Sequence, residues 1–101
     1  MDESLHAALQ ERALPTELRA LWLVTIETLR AQFAVDHERG DQGIYAIVVE
    51  PAPEHGWSAR ADEIFWGESI STLLETTGDT IEDAVVRLAL AVFERSDDEE
   101  S

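Results

Sequence analysis

The sequence predicts a two-layer α+β domain, in which N-terminal helices and a C-terminal helix pack on a three-stranded antiparallel sheet in the order α-α-β-β-β-α. Three observations lead to this fold class. Apolar residues recur with helical spacing at both ends of the chain, strand-like runs lie between them, and Pro and Gly separate those runs. Of the 101 residues, we expect 1–96 to form a single domain and 97–101 to form an acidic disordered tail.

Two helices are predicted before the sheet. The first covers residues 2–13, where Ser4 can act as its cap, and its apolar residues recur at i, i+3 and i+4. The second covers residues 16–35, a stretch without Gly or Pro. The apolar residues of the first helix are Leu5, Ala8 and Leu9, and the stripe of the second consists of Leu18, Trp22, Ile26, Leu29 and Phe33.

Three strands are predicted in the middle of the chain. Residues 44–49 are rich in β-branched residues and nearly all apolar, which favours a central strand covered on both faces. Residues 57–62 alternate between apolar and polar, which is typical of a half-buried strand, and they form a hairpin with residues 44–50. Residues 70–76 are interpreted as the third strand, although Leu73-Leu74-Glu75 fits a helix equally well.

The C-terminal helix has the clearest pattern. Thr80 followed three residues later by Asp83 is a variant of the capping box. Its apolar arc is wide, and only Asp83, Arg87 and Glu94 form a polar stripe. Such a helix needs two covering surfaces, either the sheet and the 16–35 helix or a partner subunit, so a homodimer through this helix is possible. The arc consists of Ile81, Ala84, Val85, Leu88, Val92 and Phe93.

Three features from Gly43 onward combine into one pattern. An aromatic-plus-aliphatic strand covers 44–49, Gly56-Trp57 follows the first turn, and Gly78-Asp79-Thr80-Ile81-Glu82-Asp83-Ala84 opens the last helix. In this pattern residues 43–95 resemble the HicB-like antitoxins. The resemblance implies a meander of three strands that leads into a capped helix, and an antitoxin-like activity.

The chain also departs from that family. The family's Pro-Asp-Leu-Pro-Gly stretch between its second and third strands is replaced here by residues 62–68, and the N-terminal helices are additional. The α-β-β-β-α order also looks like that of double-stranded-RNA-binding domains. The basic patch with which such domains hold phosphates is missing from this sequence.

Charge excludes several classes of function. The sequence has 22 acidic residues against seven basic ones, all of them Arg, and a formal charge of −15. Direct binding to nucleic acid or to an anionic membrane is therefore disfavoured. No apolar run approaches the roughly 20 residues of a membrane helix, and the acidic N-terminus does not resemble a secretory signal. Together with the absence of Cys, these features lead us to expect a cytoplasmic protein.

No pattern for catalysis or cofactor binding stands out. His6, His37 and His55 are not spaced to share a helix face or a strand face, so no metal site is predicted. The sequence contains neither a nucleophile elbow nor a phosphate-binding glycine loop. We therefore predict a protein that is not an enzyme and that has no cofactor.

The interpretation that we favour is a small acidic binding module. It would inhibit or neutralise a basic protein, such as a nuclease, in the manner of an antitoxin, an immunity protein or a phage-type inhibitor. Exposed aromatic anchors inside an acidic rim are typical of such an interface. For the rings, the alternative, which aromatic residues in this setting follow more often, is that Trp57 and one of Phe65 and Trp66 belong to the core. The alternative is a dimeric accessory domain whose acidity serves solubility only. The predicted partner-binding residues are Glu54, Trp57, Asp62, Glu63, Phe65, Trp66 and Glu68.

Overall fold

A computed structural model describes residues 2–33, 44–64 and 70–100. The predicted element order and the α+β class are confirmed. Helices α1 and α2 precede a meander of three antiparallel strands, and helix α3 follows it. The elements are α1 (Glu3–Glu11), α2 (Leu18–Phe33), β1 (Ile44–Pro51), β2 (Trp57–Ile64), β3 (Ile70–Gly78) and α3 (Ile81–Glu100).

Helix α1 begins two residues earlier than the predicted cap implies. The Asp2 side chain accepts a hydrogen bond from the Ser4 backbone N–H at 2.8 Å, so Asp2 is the N-cap and Ser4 lies inside the helix. The Ser4 hydroxyl also donates to the Asp2 carboxylate, at 2.6 Å. A carboxylate at this position satisfies backbone donors that the first turn leaves free, and its charge suits the positive end of the helix dipole.

The strand order corrects one prediction. Strand β1 lies at an edge of the sheet, and β2 is the central strand. Two hairpins in succession place the middle strand of a meander between its neighbours, whatever the apolar content of the first strand. Strand β1 is apolar because one of its faces carries core residues such as Tyr45 and Ile47, each 8 % exposed. The register between β2 and β3 shifts at Ala61/Asp62, which marks a β-bulge.

Helix α3 lies between two apolar clusters. The larger cluster joins α3 and α2 to the sheet, and the smaller one joins α3 to α1 and α2. Val85, Leu88 and Val92 belong to the first, whereas Val86 and Ala89 belong to the second. The prediction that this helix needs two covering surfaces is thus met within the chain. The arc that suggested a homodimer through α3 is covered by the chain's own elements.

The C-terminal boundary differs from the prediction of a disordered tail at 97–101. Helix α3 continues through the acidic run to Glu100. No Gly or Pro follows Thr80 in the sequence, so nothing in the backbone stops the helix before its acidic residues. At the other end of α3, the Thr76 hydroxyl of β3 donates to the Ala84 carbonyl at 2.8 Å and fixes the helix against the sheet.

Candidate functional site

The predicted partner-binding residues do not lie together on one surface. Glu54 is exposed in the turn between β1 and β2, while Trp57, at the start of β2, is half-buried and packs against the larger core cluster. Asp62 and Glu63 lie near the other end of β2, roughly 20 Å away along the strand. The remaining three members, Phe65, Trp66 and Glu68, lie outside the described residues.

Asp62 is buried on the face of the sheet that points away from the helices, and it is 1 % exposed. Its carboxylate accepts hydrogen bonds from the Arg60 Nε at 2.9 Å and from the Thr72 hydroxyl at 3.1 Å. Arg60 also reaches Glu50, with its Nη1 3.0 Å from the Glu50 Oε1. The hydrogen bond with Asp62 is the main reason why the pKa of Arg60 lies above its ordinary value.

Glu63 is buried on the opposite face, among the core residues, and it is 6 % exposed. Its carboxylate accepts a hydrogen bond from the phenol of Tyr45, the residue directly opposite on β1. The prediction that Asp62 and Glu63 form part of an exposed acidic rim is therefore wrong. Asp62 is bonded to residues of β2 and β3, and Glu63 is bonded to a residue of β1. Such partners are needed because a charge inside a protein must be paired or hydrogen-bonded.

A different set of carboxylates gathers at one end of the molecule. The Asp2 backbone N–H, before α1, donates to the Asp83 Oδ1 at 3.2 Å, which joins the N-terminus to the first turn of α3. The Asp83 backbone N–H in turn donates to the Thr80 hydroxyl at 3.1 Å, and this is the cap that the sequence predicts. The starts of α1 and α3 therefore lie side by side.

The turn between β1 and β2 reaches the same end. His55 Nε2 lies 3.4 Å from the Asp79 Oδ1, and both side chains are more than four-fifths exposed. Gly56 has a φ of +78°, and a Cβ there would overlap the Gly78 carbonyl oxygen. Only glycine allows this turn to approach the end of β3 so closely.

We call this end of the molecule the acidic pole, and it comprises Asp2, Glu54, Asp79, Glu82 and Asp83. The sequence did not reveal it, since its residues come from three segments that are far apart along the chain. Arg87 lies near the pole, where its charge acts on Asp2, and its Nη1 donates to the Thr77 carbonyl at 3.2 Å. Hydrogen bonds from Ser4, followed by a weaker effect of the Arg87 charge, lower the pKa of Asp2. Asp2 is thus ionised at neutral pH.

The acidic pole does not resemble a metal site. Among the described residues, no group of three or more His, Asp or Glu side chains could hold a metal ion. Carboxylates that are spread over an end of the molecule can instead act through their summed field, which attracts a positively charged partner over several ångströms. No helix in ranges 2–33 and 70–100 is both long and apolar enough to cross a membrane.

A second surface feature lies on α2. A shallow groove of about 430 Å³ is lined by Leu18, Arg19, Trp22 and Leu23. Leu23 is 57 % exposed, the largest exposure among the big apolar side chains described. Leu18 and Trp22 pack with their inner sides against the larger core cluster. The sequence placed Leu23 outside the apolar stripe of this helix.

Comparisons with known proteins give no further information. A scan against protein-family models, a search of curated proteins and a search of solved structures each returned no match. The resemblance of residues 43–95 to HicB-like antitoxins stays a prediction.

Proposed function

We propose that this chain is a small acidic protein-binding module that inhibits or neutralises a basic protein, such as a nuclease or another nucleic-acid-binding protein. The observation that supports this best is the acidic pole, where three separate segments contribute carboxylates to one end of the molecule. The formal charge of −15 adds a long-range attraction for any cationic surface. An antitoxin, an immunity protein or a phage-type inhibitor would act in this way.

The exposed members of the pole are the ones that we expect to meet the partner first. Asp2, Glu54 and Asp79 are exposed, whereas Glu82 and Asp83 are half-buried in the first turn of α3. Lys and Arg side chains on a nucleic-acid-binding surface are spaced to contact phosphates. Exposed carboxylates of the pole can take the place of those phosphates and pair with the same Lys and Arg side chains. On this proposal the pole determines the association rate and its dependence on salt.

Phe65 and Trp66 follow Ile64, at the end of β2 that lies away from the pole, so we propose them as the aromatic anchors of a second contact with the same partner. Large rings at the centre of an interface carry much of its binding energy. We expect the double variant Phe65→Ala/Trp66→Ala to lose partner capture and to unfold as cooperatively as the unmodified chain. Loss of cooperative unfolding would place the rings in the core and would leave the pole as the binding surface.

The experiment compares two variants that remove equal charge. The tagged chain is used to capture a partner from lysate, and the partner is identified by mass spectrometry, purified and assayed for its own activity. Glu54→Gln/Asp79→Asn neutralises two exposed carboxylates of the pole, whereas Glu11→Gln/Glu94→Gln neutralises two exposed carboxylates elsewhere. We expect the pole variant to bind at least tenfold more slowly at about 0.05 M salt and the control to change little.

Two results would count against the proposal. Equal slowing in both variants would show that only the total charge matters. Capture of no basic protein, or of one whose activity is unaffected, would favour the alternative of an accessory domain whose acidity serves solubility.

A further inference from the structure

Helix α2 lies at the margin of the helical layer. It packs on β1, an edge strand, and on α3, whereas α3 covers β2 and the other edge strand, β3. Leu18, Trp22 and Ile26 of α2 pack against the sheet-side cluster, and Leu21 belongs to the cluster shared with α1 and α3. Because α2 stands at this margin, the side of the helix opposite α3 is left without a packing partner among the described elements.

Four exposed residues lie on that side, Arg19, Leu23, Glu27 and Arg30, and the first three carry the argument. Arg19, Leu23 and Glu27 follow one another at intervals of four, so at 100° per residue they form one strip along the helix. On the helical wheel this strip lies beyond Leu18 and Trp22, on the side away from Leu21. All three side chains are exposed. A large apolar residue that is 57 % exposed therefore stands between a cation and an anion.

The two charges have no partner within the described ranges. Neither Arg19 nor Glu27 belongs to an ion pair there. They are eight residues apart, about 12 Å along the helix axis, and so they cannot pair with each other. Leu23 occupies the i+4 position of Arg19, where a carboxylate would have formed an ordinary surface ion pair.

Along the helix the strip runs from a cation through an apolar residue to an anion. A second copy that lies in the opposite direction presents the reverse order, so that unlike charges face each other. If two such helices lie antiparallel with Leu23 at the two-fold axis, Arg19 of each copy lies level with Glu27 of the other. The Leu23 side chains then meet at the centre, next to the apolar groove of about 430 Å³ that Trp22 lines. Symmetric interfaces between identical chains require self-complementarity of this kind.

We infer that the uncovered side of α2 is a docking surface for a second copy of this chain, which forms an antiparallel α2–α2 contact centred on Leu23. The inference does not depend on the proposed function, since the acidic pole has no part in it. A basic partner does not fit here, because Arg19 lines the groove. The formal charge of −15 on each copy opposes association, so the dimer is weak and depends on the short-range contacts.

The first test uses charge reversal and mixing. Sedimentation at about 0.15 M salt, over about 10 µM to 1 mM protein, should show a monomer–dimer equilibrium. Arg19→Glu places like charges opposite each other and should abolish the dimer, and Glu27→Arg should do the same. Mixed in equal amounts, the two variants should associate. In the mixed dimer, the charge at position 19 of each copy faces a charge of opposite sign at position 27 of the other.

Matched controls separate this geometry from net charge. Arg19→Glu/Glu27→Arg and Arg19→Glu/Glu75→Arg have the same total charge as the unmodified chain. We expect the first to dimerise and the second to stay monomeric. Leu23→Ala should weaken the dimer at least tenfold. Since Arg19, Leu23, Glu27 and Glu75 are all exposed, each variant should keep the circular dichroism spectrum of the unmodified chain.

Cross-linking gives a second readout. The chain has no Cys, so Leu23→Cys introduces a single thiol that lies opposite its own copy across the proposed axis. Mild oxidation should give a disulfide-linked dimer for Leu23→Cys and much less for Ala31→Cys, which is exposed on the same helix but away from the axis. A monomer at every concentration, failure of the mixed variants to associate, or equal cross-linking at both positions would overturn the inference.

Discussion

The two faces of the sheet each bury a carboxylate, and they hold it in different ways. On the face away from the helices, Asp62 is bound to the charged Arg60 and to a threonine hydroxyl. On the face under the helices, the next residue, Glu63, is bound to the neutral phenol of Tyr45. The first arrangement supplies a counter-charge that is partly in contact with solvent. The second supplies a hydrogen bond inside the apolar core.

This difference shows how a highly acidic chain can still form a core. A buried carboxylate is tolerated where the opposite strand or its own strand presents a donor at the correct register. Arg60 is two residues from Asp62 and shares its face, and Tyr45 pairs directly with Glu63. Consequently the number of acidic residues in the sequence overstates the number of charges on the surface.

The largest effect is expected from the apolar packing of the helix-covered face. Leu88 is fully buried in the cluster that joins α3 to the sheet. Leu88→Ala should lower the free energy of unfolding by about 2–5 kcal/mol, since it removes buried methyl groups and leaves a cavity. Chemical denaturation measures this loss. A change below about 0.5 kcal/mol, which is typical of surface positions, would contradict the assignment of this face as the main core.

A smaller loss is expected on the other face when the counter-charge is removed. Arg60→Met leaves the Asp62 carboxylate buried without its cation, and breaking a fully buried pair costs about 3–5 kcal/mol. The Arg60 side chain is 28 % exposed, so solvent screening reduces the expected loss below that of a fully buried pair.

A double-mutant cycle checks that this loss belongs to the pair. Asp62→Ala, Arg60→Met and the double variant are compared by denaturation. We expect the double variant to lose less stability than the sum of the single losses, because no charge is then left unpaired. Simple additivity would show that Arg60 stabilises the sheet through its contact with Glu50 or through packing, and not through Asp62.

The smallest effect is expected at the hydrogen bond between Tyr45 and Glu63. Tyr45→Phe keeps the ring but removes the phenol that donates to Glu63, and we expect a loss of about 1 kcal/mol. Glu63→Gln retains an oxygen that can accept from the phenol, so its loss should be smaller. If Glu63→Gln is instead the more harmful change, the negative charge itself is required and the contrast between the two faces disappears.

The sequence predicted the elements well, for local reasons. The capping pair Thr80 and Asp83, together with the helical recurrence of apolar residues after it, placed α3 close to its observed start. The third strand was open to a helical interpretation, and pairing with β2 resolves it as strand over Ile70–Gly78. The edge position of β1 was missed, because a strand's apolar content reports burial and not its order in the sheet.

Less of the candidate site could be predicted. Glu54 is in the acidic pole, but Asp62 and Glu63 turned out to be buried, and the other members of the pole were not identified from the pattern. A signal for burial was present, since Arg60 precedes Asp62 by two residues on a strand and Tyr45 lies in the neighbouring one. Using that signal required the register between β1 and β2, which no local pattern contains.

The sequence alone determined the order of the elements and the type of all but the third strand, the excess of negative charge and the wide apolar arc of α3. These properties depend on residues within a few positions of each other, where backbone geometry sets the period of the pattern. Only the tertiary structure decided which carboxylates are buried, which strand is central and which acids meet at one end. Each of these depends on contacts between segments far apart along the chain, because burial and electrostatic pairing depend on distance in space.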